Sequence, residues 1–343
     1  MRFALDEDQQ MVAEAARGYL DRLPGARALL EGHDPTPDGW AGMVDEQSWP
    51  SLMVPEDLHH ADGGGFGFDQ VSTALVLEAL GHTLVPSPML GVAWATAALL
   101  ECAAGPDRDS ALARITEGTR ACVIWDPSQP VVDGLDAELI LLVDTTGVHL
   151  LLDPGSVVRE ALPSLDPTRA LARISPGTSP AVQLCGPDRL PFIHARAMAL
   201  LAASCLGTAE AVMDLAVDYT KVREQFGGPI GRFQALQHIC ADMLVRVECA
   251  RSAAWFAAWA TCPHANPDRT PDSALSAART ALTTAADAAF DNAGASIQVH
   301  GGIGFTWEHV CHLYFKRARV DRTLLGEPRT HRAAIADTLL GAL

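Results

Sequence analysis

Chemistry first becomes legible in this 343-residue sequence where an arginine precedes a glycine pair. Residues 219–234 read YTKVREQFGGPIGRFQ. Arg223 falls near the end of a long apolar-periodic helix. Phe226, Gly227 and Gly228 break that helix, and Pro229 keeps it from resuming at once. A second helix is predicted to start near Phe233. A cation at a helix end, beside glycines with free backbone N–H groups, suits an anionic ligand such as a pyrophosphate. The same residues also fit a plain helix C-terminus with an arginine complementing its dipole. A second small cluster, QVHGGIG, occupies residues 298–304. Lys316, Arg317, Arg319 and Arg322 form a local basic cluster that reads as a solvated face or an ion-pair network.

The elements that must position these residues fall into three stretches. Residues 1–118 read as mostly helical. Asp6 and Glu7 stand where negative charge favours a helix start, and Met11, Val12, Ala15, Tyr19 and Leu20 share a face. Pro24 and the stretch 35–37 punctuate the helices, and Trp40, Met43 and Val44 lead to Trp49. The glycine cluster Gly63, Gly64, Gly65, Gly67 lacks the preceding strand and following Lys-Ser/Thr of a P-loop, and reads as a surface turn. Residues 119–190 turn strand-like at 121–125, 139–143 and 148–152, and the last two runs are separated by the turn signal Asp144-Thr145-Thr146-Gly147. This stretch reads as a small central β-domain. Residues 191–343 are helical again. One long alanine-rich helix spans 194–222 and a second spans 233–260, with Ala235, Ile239, Met243, Val247 and Ala250 on one face. After a loop at 261–271, Asp272 is expected to cap a third helix, and the last helices cover roughly 307–319 and 328–340. A helix bundle is the natural architecture.

Composition narrows the function classes. A net charge of −17 and a pI of about 5.0 argue against nucleic acid or an anionic membrane as partner, though not against a small anionic ligand held by a local basic cluster. The N-terminus MRFALDEDQQ lacks a signal peptide's cationic and apolar regions, and no apolar run of about 18 residues free of charges and breakers is apparent, so no membrane span is expected. The eight cysteines form no C-x-x-C pair, and Cys205, Cys240 and Cys249 lie in helix-periodic apolar stretches; buried reduced thiols of a cytoplasmic protein are expected. The twelve histidines, His59-His60 included, show no metal-binding spacing, and no metal site is expected.

Together the segments R-x-Q-F-G-x-P-I-x-x-F-Q and Q-x-x-G-G-x-G resemble the flavin-contact segments of the acyl-CoA dehydrogenase family, in order and separation. Glu78, Leu80, Gly81, Leu84, Pro86 and Pro88 match a further family segment, as does the Trp49…Val54-Pro55-Glu56 stretch. The resemblance implies a mostly α fold: an N-terminal helical domain (1–118), a reduced β-domain (119–190) and a C-terminal four-helix bundle (191–343). It implies FAD as cofactor, acyl-CoA as substrate and an electron-transfer flavoprotein as re-oxidant. Arg223, Gln225, Phe226, Gln234, Gln298, Val299, His300, Gly301 and Gly302 become the expected contacts to the ADP part of FAD, made across a subunit interface. The basic cluster around Arg317 could then also face a CoA tail.

The resemblance is equally informative where it fails. The family's Y-E-G-T segment carries the catalytic glutamate; here it reads Leu324-Leu325-Gly326-Glu327, with leucine at the base position. The alternative base position, near Ala197 or Met198, is also apolar. The T-E-P-x-x-G-S-D motif, which in the family holds the flavin ring, is absent, although residues 164–174 (SLDPTRALARI) resemble a late piece of the β-domain. Contacts to a neighbour's flavin are thus present and contacts to the chain's own flavin missing. This pattern, the length and SLDPTR resemble the short, degenerate subunit of the α2β2 acyl-CoA dehydrogenases of actinobacterial steroid side-chain degraders. The expectation is a subunit that completes the site of a catalytic partner acting on a steroid side-chain or other bulky acyl-CoA. Two alternatives stand beside it: a self-sufficient homo-oligomer with a displaced base, Glu327 or Glu308, and a helical scaffold that kept only the oligomer interface.

Overall fold

The computed structural model describes residues 4–31, 39–58 and 64–341. The 35–37 segment, the His59-His60 pair and Gly63 lie outside the described residues.

The N-terminal region is helical because its capping and patterning agree. Helix α1 (Glu7–Leu20) starts at Asp6, whose carboxylate accepts from the Gln9 N–H while the Gln9 side chain accepts in return from the Asp6 N–H. Short helices α2 (Arg27–Leu30) and α3 (Gly39–Asp45) follow. Helix α4 (Gln70–Thr83) is capped by Asp69 and buried nearly all round, as is α5 (Met89–Leu99); α6 (Pro106–Thr116) completes the set. An apolar helix with no polar face belongs inside a protein. The glycine segment lies against the turn at 51–55, as the surface-turn reading expects: the N–H groups of Phe66, Gly67 and Phe68 donate to the carbonyls of Ser51, Val54 and Leu52. At Gly65 a Cβ would sit 1.9 Å from the Val54 carbonyl oxygen, which is why a side chain is excluded there.

Seven strands lie in the middle: β1 (Ala121–Ile124), β2 (Val131–Val132), β3 (Leu139–Asp144), β4 (Gly147–Leu151), β5 (Val158–Ala161), β6 (Leu171–Ser175) and β7 (Ala181–Cys185). They form a four-stranded sheet ordered β1-β3-β4-β7 and a three-stranded sheet ordered β2-β6-β5. The β3–β4 turn forms as expected, with the Asp144 carboxylate accepting from the Thr146 N–H at 2.7 Å and Gly147 at φ +142°.

Five helices close the chain: α7 (Leu190–Val222), α8 (Gln234–Thr261), α9 (Pro271–His300), α10 (Cys311–Asp321) and α11 (Pro328–Gly341). Helix α7 is the axis, packing on α4, α8 and α9. At the α4–α7 crossing a Cβ on Gly207 would lie 1.8 Å from the Glu78 carbonyl oxygen, and one on Gly81 2.0 Å from that of Ser204. Two glycines, one on each helix, thus permit backbone-to-backbone packing. Contrary to the sequence reading, the segment Pro187–Val222 is long and apolar enough to cross a bilayer; 72% of its most apolar window is buried inside the protein, the position of a core helix. Two further corrections concern local detail. Helix α9 is capped by Thr270 rather than Asp272, because Pro271 fits the first helical position and the Thr270 hydroxyl then accepts from the Ser273 N–H at 3.2 Å. Cys249 is exposed and Cys240 half-buried, because the outer face of α8 is turned away from the core.

The SLDPTR stretch clamps the β-domain to the C-terminal helices. Asp166 pairs with Arg317, and Arg169 pairs with Asp321 at 2.8 Å, all four buried. Arg322 pairs with Asp287 at 2.8 Å and Lys316 sits 4.1 Å above the Trp307 ring, so the basic cluster is largely an ion-pair network. Beside the clamp stands Asp133, at φ +56°, accepting from the Gly91 N–H in the first turn of α5. Burial pushes its carboxyl up to about 6, against the pull of Arg169. Between about pH 4 and 6 the folded chain therefore keeps a proton that the unfolded chain releases, and stability falls as pH rises through that window. Asp133→Asn, which tolerates the same backbone angle, is expected to remove this limb. It should gain about 1–2 kcal/mol at pH 7, after allowance for partial solvent exposure, and almost nothing at pH 4. Thermal denaturation at both pH values checks this; an unchanged pH limb in the variant would contradict it.

Candidate functional site

The two sequence segments meet. Helix α7 ends at Val222, and Arg223 leaves it in extended conformation, its N–H still bonded to the Tyr219 carbonyl at 2.9 Å. The chain then makes a minimal hairpin of β8 (Glu224–Gln225) and β9 (Gly228–Pro229). Its two turn residues, Phe226 and Gly227, both have positive φ (+52° and +84°), as a tight hairpin turn requires. Glycine meets that demand freely; phenylalanine at positive φ stores about 1–2 kcal/mol of strain. The loop is nonetheless braced. Arg232 donates to the Phe226 carbonyl and lies 5.1 Å over the Phe233 ring, which meets Phe226 edge-on at 5.9 Å.

Helix α9 runs to the same place. One turn before Arg223, the Tyr219 ring stacks on His300 at 4.3 Å. His300 is buried, with Nδ1 against the Ser296 carbonyl at 2.7 Å, and burial holds its imidazole below the usual histidine range. This neutral stack fixes the end of α9 against the end of α7. Val299 turns inward to the core, whereas Gln298 is exposed. At Gly301 (φ +62°) and Gly302 an added Cβ would meet nothing within 4 Å, so the space beside both is open, although the Gly301 N–H is already bonded back to α9. Arg223, Gln225 and Gln234 are exposed, Phe226 is 86% exposed, and α8 starts without a side-chain cap. Among the described residues the Arg223 guanidinium has no ion-pair partner. The structure thus brings Arg223, Gln225, Phe226 and Gln234 to one end of the bundle beside Gln298, Gly301 and Gly302, and gives His300 a bracing position.

No metal-binding spacing marks the sequence, yet His300, His309 and Cys311 place one ligand atom each within 4.8 Å of one another. Their atoms are engaged within the protein: His309 Nδ1 accepts from the Cys311 N–H, and the Cys311 thiol lies 3.6 Å from both His300 and Ser296. Burial pushes that thiol up, disfavouring the thiolate that a metal would need.

The base position tells the other half. Leu325 lies in the turn between α10 and α11 at φ +58°, an uncommon angle for leucine. It borders a cavity of about 420 Å³ lined by Pro187, Leu190, Pro191, His194, Met198, Leu275, Arg279, Leu325, Gly326, Thr330, His331 and Ala334. None of these carries a carboxylate. Glu327 and Glu308 are exposed, and neither lines the cavity. Sequence reasoning missed His194, Arg279 and His331, which come from α7, α9 and α11 and share no motif. It also missed Trp125, whose ring packs against His194 at 5.1 Å and Trp94 at 5.8 Å.

Helical domain, small sheets, helix bundle and a glycine-flanked arginine at the end of its longest helix define the class: the chain belongs to the acyl-CoA dehydrogenase family, whose members are FAD-dependent flavoproteins. The family profile "Acyl-CoA dehydrogenase, C-terminal domain" matches residues 192–340. Acyl-CoA dehydrogenase IpdE2 of Mycobacterium tuberculosis (strain ATCC 25618 / H37Rv) is 38% identical over 332 residues, 94% of each chain. Among solved structures, a variant of the Tcur3481-Tcur3483 steroid ACAD superposes with a TM-score of 0.86 at 22% identity, over 98% of each chain. The ChsE4-ChsE5 complex from Mycobacterium tuberculosis superposes with a TM-score of 0.82 at 23% identity, over 99% of each chain.

The exposed residues fit part of that cofactor. An unpaired guanidinium, open space beside two glycines, an uncapped helix start, three glutamine amides and an exposed aromatic ring suit a pyrophosphate and an adenosine. The Leu325 cavity, by contrast, offers no carboxylate base.

Proposed function

We propose that this chain is the non-base subunit of a heteromeric acyl-CoA dehydrogenase. It supplies Arg223, Gln225, Phe226, Gln234, Gln298, Gly301 and Gly302 to the ADP part of a flavin, with His300 bracing them, while a partner subunit supplies the catalytic glutamate and the acyl-CoA pocket. Bound FAD contributes hydride acceptance; this chain's residues hold its anionic end and do not move the substrate proton. The observation that carries the reading is the split between an exposed, unpaired Arg223 hairpin and a base cavity lined by no carboxylate. The likeness to the Tcur3481-Tcur3483 steroid ACAD supports a steroid side-chain or other bulky acyl-CoA as the complex's substrate, and its two-component name, like that of the ChsE4-ChsE5 complex, supports a heteromeric assembly, which we take to be α2β2. An electron-transfer flavoprotein is the re-oxidant we expect, in the cytoplasm.

Production of this chain alone, and together with a partner of the same family that carries the glutamate, tests the proposal through visible spectra and native masses. A colourless single chain and a yellow complex with about one flavin per pair are expected. A yellow single chain that oxidises acyl-CoA would overturn the proposal and turn attention to Glu327 and Glu308.

A further inference from the structure

The Leu325 cavity has lost its acid but is not inert. Three basic side chains from three helices line it: His194 on α7, Arg279 on α9 and His331 on α11. Arg279 is half-buried and, among the described residues, has neither an ion pair nor a hydrogen bond. His331 is 7% exposed, and its Nε2 is a buried polar atom without a hydrogen-bond partner. Buried polar atoms are rarely left unpaired, and a charge taken out of water is costly without a partner. Apart from the Thr330 hydroxyl, the remaining lining is largely apolar, with Pro187, Pro191, Leu190, Leu275, Leu325 and Met198. A cavity that pairs one cationic wall with a greasy one selects a ligand of matching halves.

We propose that this cavity binds an apolar carboxylate, with Arg279 pairing the carboxylate, His331 Nε2 and the Thr330 hydroxyl at hydrogen-bonding distance of it, and the leucines and Met198 around the hydrocarbon. Burial, and after it the nearby Arg279 guanidinium, holds both His194 and His331 below the usual histidine range, with the Leu325 and Gly326 backbone opposing this at His331, so each is a neutral imidazole and Arg279 supplies the charge. Leucine at position 325 adds to the apolar wall where a glutamate would repel the ligand. The site stands apart from the shared-flavin reading, since it uses none of the residues at the Arg223 end.

Titration calorimetry of the full chain, with cyclohexanecarboxylate and its neutral isostere cyclohexanecarboxamide, tests the site. Saturable binding of the carboxylate at one site per chain is expected, with the carboxamide at least ~10-fold weaker. Arg279→Gln should weaken the carboxylate by a similar factor and leave the carboxamide unchanged, while Arg279→Lys keeps part of the preference. Equal affinity for the two ligands in the unmutated chain would overturn the proposal without recourse to any variant. So would an absence of saturable binding, or an Arg279→Gln chain that still prefers the carboxylate.

Discussion

Arg223→Ala should lower the affinity of the assembled complex for FAD by roughly 10- to 150-fold, while leaving this chain as stable as before. Both halves follow from where Arg223 stands. Its side chain is exposed and, among the described residues, unpaired, so truncation removes no internal contact, and surface changes of that kind stay within about 0.5 kcal/mol. Toward a pyrophosphate it offers charge-assisted hydrogen bonds, each worth about 1.5–3 kcal/mol. Arg223→Lys should recover part of the loss, because it restores the charge without the bidentate fork. Flavin content after gel filtration and titration of the flavin-stripped complex with FAD measure the effect. Unchanged FAD affinity in Arg223→Ala would sink the shared-site proposal. Should the partner's turnover also remain unaffected, the scaffold alternative would gain instead.

The break after α7 was legible because backbone demands are written in residue type. Two glycines and a proline after a long periodic helix specify a stop, and the structure adds the β8–β9 hairpin and the positive φ of Phe226. The Tyr219–His300 stack was not legible, since residues 81 positions apart meet only once α7 and α9 have packed. The same reason hid Arg279, His194 and His331: each is an ordinary helix residue until three helices bring them to one cavity. Position 325 was readable by resemblance, but the absence of a compensating carboxylate required the cavity itself. The cap of α9 was misplaced by two residues because Thr270 and Asp272 are both good capping types, and only Pro271 between them decides which lies outside the helix. Cys249 sits in a run whose apolar residues recur at helical spacing. Periodicity says that α8 is a helix there, not how much of its circumference the bundle covers.

Glu101→Gln should destabilise the chain by about 3–5 kcal/mol, a large share of the 5–15 kcal/mol that holds a typical domain folded. Glu101 lies just beyond α5 with its carboxylate fully buried. It receives Arg196 of α7 at 3.2 Å and Arg269 of the loop before α9 at 2.8 Å, together with Arg189 at the start of α7. Arg196 and Arg269 are themselves at most 5% exposed, and among the described residues Glu101 is the one carboxylate paired with either. Burial already pushes the Arg196 guanidinium down, with Glu101 opposing it. Glutamine preserves the shape but leaves two guanidinium charges in a medium that cannot solvate them, and breaking one member of a buried pair costs far more than the pair contributes. Arg189 provides the internal comparison. It binds the same carboxylate but is 36% exposed, so Arg189→Ala should cost under about 1 kcal/mol. Urea unfolding resolves the two, with the Glu101→Gln midpoint falling several-fold further than that of Arg189→Ala at an unchanged slope. Equal, small shifts for both would mean that water reaches the hub, and that α5, α7 and the loop before α9 are held together by apolar packing alone.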